Sequence, residues 1–330
     1  MRAGTNVFKN VQLGLSSRRN TGDEWRHIQG PRIHPFRISV FYPFAIRCRN
    51  FSTNNMPILV LDWDETLTVR DTTGEIAHAA EKCAPRKYPF AYFTEKYLAS
   101  YAAFLDQFKR EHGKIDSVEK EIEYQKQLRK VELESIIRLE KYDFFKDVPF
   151  ITFTDLASHI ELKPGSVEFL KSWKLPVYVL SINWCKSMIE TCLKQHGLSD
   201  IVVFANDLEH REGVTTGSFC NDVDIRTGYD KSNILRDLKA KYNGSQVIYV
   251  GDSHGDVLPI VDADVGILIE NGKGKQTLEL ILDLQQIEML LGTAFESDLD
   301  RHQPRKKRLY EGSWPRIAHA LGKYLDNNTA

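Results

Sequence analysis

An open, parallel α/β sheet with helices on both faces is the fold the sequence predicts, and three observations predict it. Five short apolar runs, 58–61, 177–180, 201–204, 247–250 and 265–269, lack the in–out alternation of a half-exposed strand and suit strands buried on both sides. Helical patterns at 166–173, 186–196 and 231–242 alternate with them, as in a doubly covered sheet. A polar side chain follows each of the first four runs within two residues: Asp62, Ser181, Asn206 and Asp252.

Composition is compatible with that fold and excludes several others. The chain has 330 residues, enough for one large domain or two moderate ones, with 42% hydrophobic and 27% charged residues. No apolar stretch approaches the roughly 18 residues of a spanning helix, so no membrane is expected. A formal net charge of -1 gives no electrostatic reason to expect nucleic acid. The five cysteines (Cys48, Cys83, Cys185, Cys192, Cys220) are irregularly spaced, without CxxC or zinc-type His pairing. They read as reduced thiols of an intracellular protein.

In chain order, residues 1–55 read as a basic leader. Positions 1–51 carry nine Lys/Arg against Asp23 and Glu24, leaving 52–330 with 35 basic and 43 acidic residues, a net charge of -8. An arginine-bearing, acid-poor leader suggests a mitochondrial presequence. Arg49-Asn50-Phe51-Ser52 adds an arginine placed as at a common matrix-protease site. The alternative is a basic tail on a cytoplasmic protein. Residues 56–71 and 156–330 read as the sheet-bearing core, and 72–155 as a mostly helical cap inserted after the first strand. Its longest helix runs from Asp116 to about Tyr142, with Asp116 and Glu119 as an N-cap-like start. Tyr124, Leu128, Val131 and Leu139 give it one apolar stripe; its many charges are read as a solvated face. Beyond residue 270, 276–294 and 313–324 look helical, and Arg305–Arg308 reads as a basic loop.

In open α/β sheets ligands bind beyond the carboxyl ends of the strands. There this chain carries Asp62 and Asp64, Ser181 and Asn183, Asp252 and Asp256, with Lys231 opening a nearby helix. Crowded buried carboxylates repel and desolvate one another unless a cation joins them. A hard divalent ion such as Mg²⁺ fits, since it takes carboxylate oxygens, waters and substrate phosphate. The expected metal residues are Asp62, Asp64, Asp252 and Asp256. Asp62 is placed to attack phosphorus and form an aspartyl-phosphate. Asp64 would protonate the leaving oxygen and later take a proton from water. Ser181 would donate to a phosphoryl oxygen, and Lys231 would offset its charge. Asp256 has a second reading, holding a metal-bound water or Lys231 in place. Asn183 and Trp184 are candidate substrate contacts, with packing the competing role for the indole; Asn206 would order a turn. The cap aromatics Tyr88, Phe90, Tyr92, Phe93, Tyr97 and Tyr101 would form either a stacking surface or helix core.

Asp62-Trp63-Asp64-Glu65-Thr66-Leu67-Thr68 resembles the DxDxT signature of the haloacid dehalogenase-like (HAD) hydrolases, which have a Rossmann-like sheet. Ser181 matches the second motif of that superfamily, Lys231 the third, and Gly251–Asp256 the GDxxxD fourth. The resemblance implies a phosphate and substrate site at Thr66, Ser181, Ile182, Asn183 and Lys231, and catalysis by Asp62, Asp64 and Lys231. A second aspartate favours the phosphatase branch, because dehalogenation has no leaving oxygen to protonate. Glu65 stands where many relatives have Gly. Residues 180–189, 204–208, 215–217, 230–231 and 248–269 further resemble the plant thiamine monophosphate phosphatase domain. That implies a small phosphorylated metabolite as partner, thiamine monophosphate foremost. Phosphoserine, a sugar phosphate or a nucleotide are the alternatives, together with a non-catalytic phospholigand-binding protein on the same fold.

Overall fold

The computed structural model describes residues 56–242, 245–284, 288–289 and 308–329; the leader and most of 276–307 lie outside them, including residues 285–287 and 290–294 of the expected helix. Strand β1 (Ile58–Leu61) leads into helices α1 (Thr73–Cys83), α2 (Phe90–His112), α3 (Val118–Lys141) and the short α4 (Ile151–Thr154). Then follow α5 (Ser166–Ser172), β2 (Val177–Leu180), α6 (Lys186–Gln195), β3 (Val202–Phe204), β4 (Leu208–Arg211), β5 (Val214–Phe219) and α7 (Gly228–Lys241). The chain continues through β6 (Val247–Gly251), α8 (Val257–Asp262), β7 (Val265–Ile269), α9 (Lys275–Ile281), β8 (Glu288–Met289), β9 (Arg308–Gly312) and α10 (Trp314–Thr329).

Seven of these strands form one sheet in the order β3-β2-β1-β6-β7-β9-β8, every pair parallel. Successive side chains enter opposite cores, which is why the apolar runs do not alternate with polar residues. Leu59, Leu61, Val177, Val179, Ile248 and Val250 pack with α6, α5 and α10 residues such as Met188, Phe169 and Ile317. Ile58, Val60, Tyr178, Leu180, Val247 and Tyr249 meet Leu235, Leu238, Ile260 and Leu278 on the other face. Each such fully buried aliphatic side chain contributes roughly 1.5–3 kcal/mol relative to exposure. Strand order reverses between β1 and β6, which pair with Leu61 opposite Val250. That reversal opens a crevice at their carboxyl ends, where Asp62 and Asp252 stand.

Three local expectations are corrected, and one hairpin was not foreseen. Ser117, not Asp116, caps α3: its Oγ accepts from Lys120 N at 3.3 Å, while Asp116 pairs with the Lys120 ammonium at 2.8 Å. The polar face of α3 is not simply solvated: Glu121 and Gln125 are buried, and Arg129 pairs with Asp224 and, at 2.8 Å, with Asp230. The helix expected over 276–294 ends at Ile281, and Glu288–Met289 joins the sheet as β8. Residues 208–219 form an antiparallel hairpin turning at Glu212-Gly213, both at positive φ (50° and 78°). Two such residues match the right-handed strand twist. Glu-Gly is a weaker hairpin signal than Asn-Gly, and the sequence reading passed over it.

Candidate active site

Asp62 leaves β1 with its N–H donating to the Val250 carbonyl at 2.9 Å, so the first aspartate is tied to the strand that delivers Asp252. The chain then folds tightly, with the amides of Thr66, Leu67 and Thr68 all directed at the Trp63 carbonyl. Glu65 takes a left-handed conformation in that turn (φ 57°), one glycine adopts without steric cost and a side chain does not. Its carboxylate is ion-paired with Lys273, which offsets the strain.

The carboxylates sort into two groups. Asp62, Asp252 and Asp256 are buried and offer oxygens that all lie within 4.8 Å of one another. The Lys231 ammonium reaches Asp62 Oδ1 and Asp256 Oδ1, both at 2.7 Å, with its side chain only 2% exposed. Asp256 is the most heavily bonded of the three. Oδ1 accepts from Lys231 and from the Tyr249 hydroxyl (2.8 Å), and Oδ2 from Ser253 Oγ and the amides of Asp252 and Ser253 (2.7–3.1 Å). Gly251 makes this possible, because a Cβ there would sit 2.4 Å from the Asp256 Cβ. Asp252 Oδ1 accepts from the Thr66 hydroxyl at 3.0 Å.

Asp64 lies outside that acidic cluster. Its Oδ1 accepts from Thr72 N and Thr72 Oγ1 at 2.7 and 2.6 Å, and its Oδ2 from Asn183 Nδ2 at 3.0 Å. The carboxylate therefore bonds to the start of α1 and to the loop after β2. Thr72 is a residue the sequence reading did not single out: its hydroxyl also accepts from Trp63 Nε1 (3.3 Å) and Asn183 Nδ2 (2.9 Å). Its one legible signal was a Thr immediately before a helical pattern and shortly after DxDxT. Trp314 was missed as well; its indole N–H donates to the Thr66 carbonyl at 2.8 Å, so α10 braces the turn after β1.

The remaining candidates fall where their local bonding directs them. Ser181 is buried, with its N–H on Phe204 O (2.9 Å) and its Oγ accepting from Asn183 N (3.1 Å). Ile182 packs its side chain into the core on the α7 face. The Asn183 amide is committed to Asp64 and Thr72. Asn206 ties the carbonyls of Ile182, Asn183 and Ile225 together at 2.9–3.2 Å, ordering the turn as expected. Trp184 is packing, edge-on to Phe90, Phe145 and Phe219. The cap aromatics stack chiefly on each other: Tyr88 on Tyr92 at 4.4 Å, Phe93 against Phe144, and Tyr97 on Tyr101, with the Tyr97 hydroxyl donating to Glu132 at 2.7 Å. His254 meets Thr277 Oγ1 at 3.1 Å, and burial lowers its pKa. Burial raises the Cys185 thiol well above its usual value, which leaves it unreactive.

Comparison with known proteins decides the family. A model of the haloacid dehalogenase-like hydrolases matches residues 56–264, more than half the chain. The chain is a haloacid dehalogenase-like hydrolase. Among curated relatives of this HAD hydrolase, Cold tolerance protein 1 of Saccharomyces cerevisiae is 29% identical over 249 residues, 65% of this chain and 78% of that protein. The Bifunctional TH2 protein, mitochondrial, of Arabidopsis thaliana is 24% identical over 255 residues, 68% of this chain; the chain spans only 41% of that relative. Among solved structures, a substrate-bound phosphoserine phosphatase complex is 20% identical with a TM-score of 0.44, covering 71% of this chain and 92% of that one. Cytosolic 5′-nucleotidase IIIB bound to cytidine is 15% identical with a TM-score of 0.45, covering 83% and 88%.

Proposed function

We propose that this HAD hydrolase is a Mg²⁺-dependent phosphomonoester hydrolase that works through an aspartyl-phosphate on Asp62. The observation that carries the reading is the buried cluster of Asp62, Asp252 and Asp256, with the Lys231 ammonium bonded to Asp62 and Asp256. Buried carboxylates gathered this closely repel one another and are hard oxygen donors of the kind a divalent ion takes, so the donor set fits one. Asp62 and Asp252 are the direct ligands in this reading. Asp256, whose oxygens already accept from five donors, holds Lys231 and the loop instead. Bound there, Mg²⁺ would supply positive charge against the phosphoryl oxygens.

Asp62 attacks phosphorus: an Asp62 Oδ–P bond forms as the ester P–O bond breaks, and Asp64 gives its proton to the leaving oxygen. Asp64 then takes a proton from the water that attacks the aspartyl-phosphate, which releases phosphate and restores Asp62. Thr72 and Asn183 aim the Asp64 carboxyl, since they hold both its oxygens. Lys231 and the Ser181 hydroxyl offset charge on the phosphoryl group. Helices in 72–155 act as the cap that covers this site and selects the organic part of the substrate.

The first-choice substrate is thiamine monophosphate, supported by the likeness to the plant TH2 protein. Other small phosphomonoesters are the second choice. The test is phosphate release by the full chain across a panel of phosphomonoesters, with Mg²⁺ or EDTA, against Asp62→Asn. Mg²⁺-dependent release strongest from thiamine monophosphate is the expected result. Release from other esters alone removes the vitamin assignment, and a folded protein silent on every ester is a phospholigand-binding protein. We also propose that residues 1–55 direct mitochondrial import. Attached to a fluorescent protein, they should carry it into mitochondria, and a cytoplasmic signal would refute this.

A further inference from the structure

The polar face of α3 has a role that neither cap packing nor substrate contact explains. Glu121, Gln125 and Arg129 recur every four residues and so share one side of the helix. Gln125, 2% exposed, reaches two catalytic segments at once. Its Oε1 accepts from Gly228 N at 3.1 Å, and its Nε2 donates to the His254 carbonyl at 3.3 Å and to Glu121 Oε1 at 2.7 Å. Gly228 opens α7, where the first amides have no partner within the helix, so Gln125 satisfies one of them. One turn along α3, Arg129 bonds Asp230, whose carboxylate caps the same helix end through the Thr227 amide (3.0 Å).

The two segments that Gln125 joins are those that place the catalytic ammonium. Gly228 lies three residues before Lys231, and His254 two residues before Asp256, which holds that ammonium at 2.7 Å. They touch backbone to backbone: a Cβ on Gly228 would come within 2.6 Å of the Gly255 carbonyl oxygen. Nothing bulkier than a hydrogen fits between them, so a shift of either moves the other, and with it Lys231 relative to Asp62.

We infer that Gln125 is a positioning residue for Lys231, clamping the start of α7 to the 254–256 turn from the helical insertion. The inference rests on the phosphatase reading for its kinetic test. A misplacement of about 1 Å costs up to about 100-fold in rate, because the transition state tolerates little error in the position of a stabilising charge. Gln125→Met keeps the length and removes every hydrogen bond. Its kcat should fall tenfold or more while KM changes less than threefold. In a Lys231→Arg background, where the charge is already displaced, the same substitution should cost less than threefold. Equal losses in both backgrounds, or an unchanged kcat, would overturn the inference. If Gln125→Met does not fold, Gln125→Glu keeps the acceptor for Gly228 but loses both donors, and the same two-background comparison applies. Hydrogen exchange supplies a readout that needs no activity: amides 228–231 should exchange at least tenfold faster in the variant, with β1 and β6 unchanged. Wild-type protein that hydrolyses no ester would sink the phosphatase reading, and hydrogen exchange would still judge this one; unchanged exchange overturns it.

Discussion

Glu121 gives the sharpest test of how the insertion is held to the core. Its carboxyl is buried in α3 and, among the described residues, accepts from the neutral Gln125 amide without a cation beside it, so burial raises its pKa from 4.5 to about 7. The folded protein therefore binds a proton more tightly there than the unfolded chain does. The stability this contributes is fully present below the unfolded pKa of 4.5, falls as pH rises, and is gone once pH passes the folded value near 7. At 1.36 kcal/mol per pH unit, that interval amounts to about 3 kcal/mol. Glu121→Gln removes the titration and keeps an oxygen to accept from Gln125. Wild type and variant should be about equally stable at pH 4.5, and the variant should be about 3 kcal/mol more stable at pH 8. Urea denaturation of both proteins across that range, compared as a difference at each pH, cancels every titration they share. Parallel curves would mean that Glu121 ionises as it does in water, and would refute the burial argument.

Lys231→Met leaves two buried carboxylates facing each other, and should cost roughly 3–5 kcal/mol of stability as well as activity; a variant as stable as its parent in urea would contradict the ion-pair reading. Thr72→Val deprives Asp64 of its hydroxyl partner. It should slow hydrolysis of alkyl phosphates roughly 10–100-fold but p-nitrophenyl phosphate much less, since that leaving group needs no proton; equal slowing of both would remove Asp64 as the acid. Added Mg²⁺ at 100 times its Kd should stabilise the protein by about 2.7 kcal/mol in thermal melts, and Asp252→Asn should abolish most of that gain; a gain retained in the variant would exclude Asp252 as a ligand. Trp314→Phe keeps the apolar packing and loses one hydrogen bond to the turn after β1, at about 1 kcal/mol in urea denaturation; no loss would make α10 mere filler.

What the sequence determined by itself was whatever is encoded in neighbouring residues. Five strands announced themselves as unalternating apolar runs, because β1, β2, β6 and β7 are buried on both faces and the edge strand β3 is partly covered. Residues at their ends followed, since a parallel sheet delivers Asp62, Ser181 and Asp252 to one edge whatever surrounds it. Long-range geometry was not legible there. Two aspartates two positions apart looked like joint members of a single acidic cluster, yet only Asp62 is in the group of three whose oxygens lie within 4.8 Å. Asp64 turns to Thr72 and Asn183, partners 8 and 119 residues away, and nothing in DxDxT says which donors a carboxylate will meet. Strand β9 and the Trp314 brace were equally hidden, because their partners lie far back in the chain. The polar face of α3 was the largest misreading. Charge on a helix normally means solvent, and only the docking of that helix on Gly228, Asp230 and His254 buried Gln125 and paired Arg129 across the contact. A side chain's chemistry is local, but its partners, and therefore its role, are set by packing.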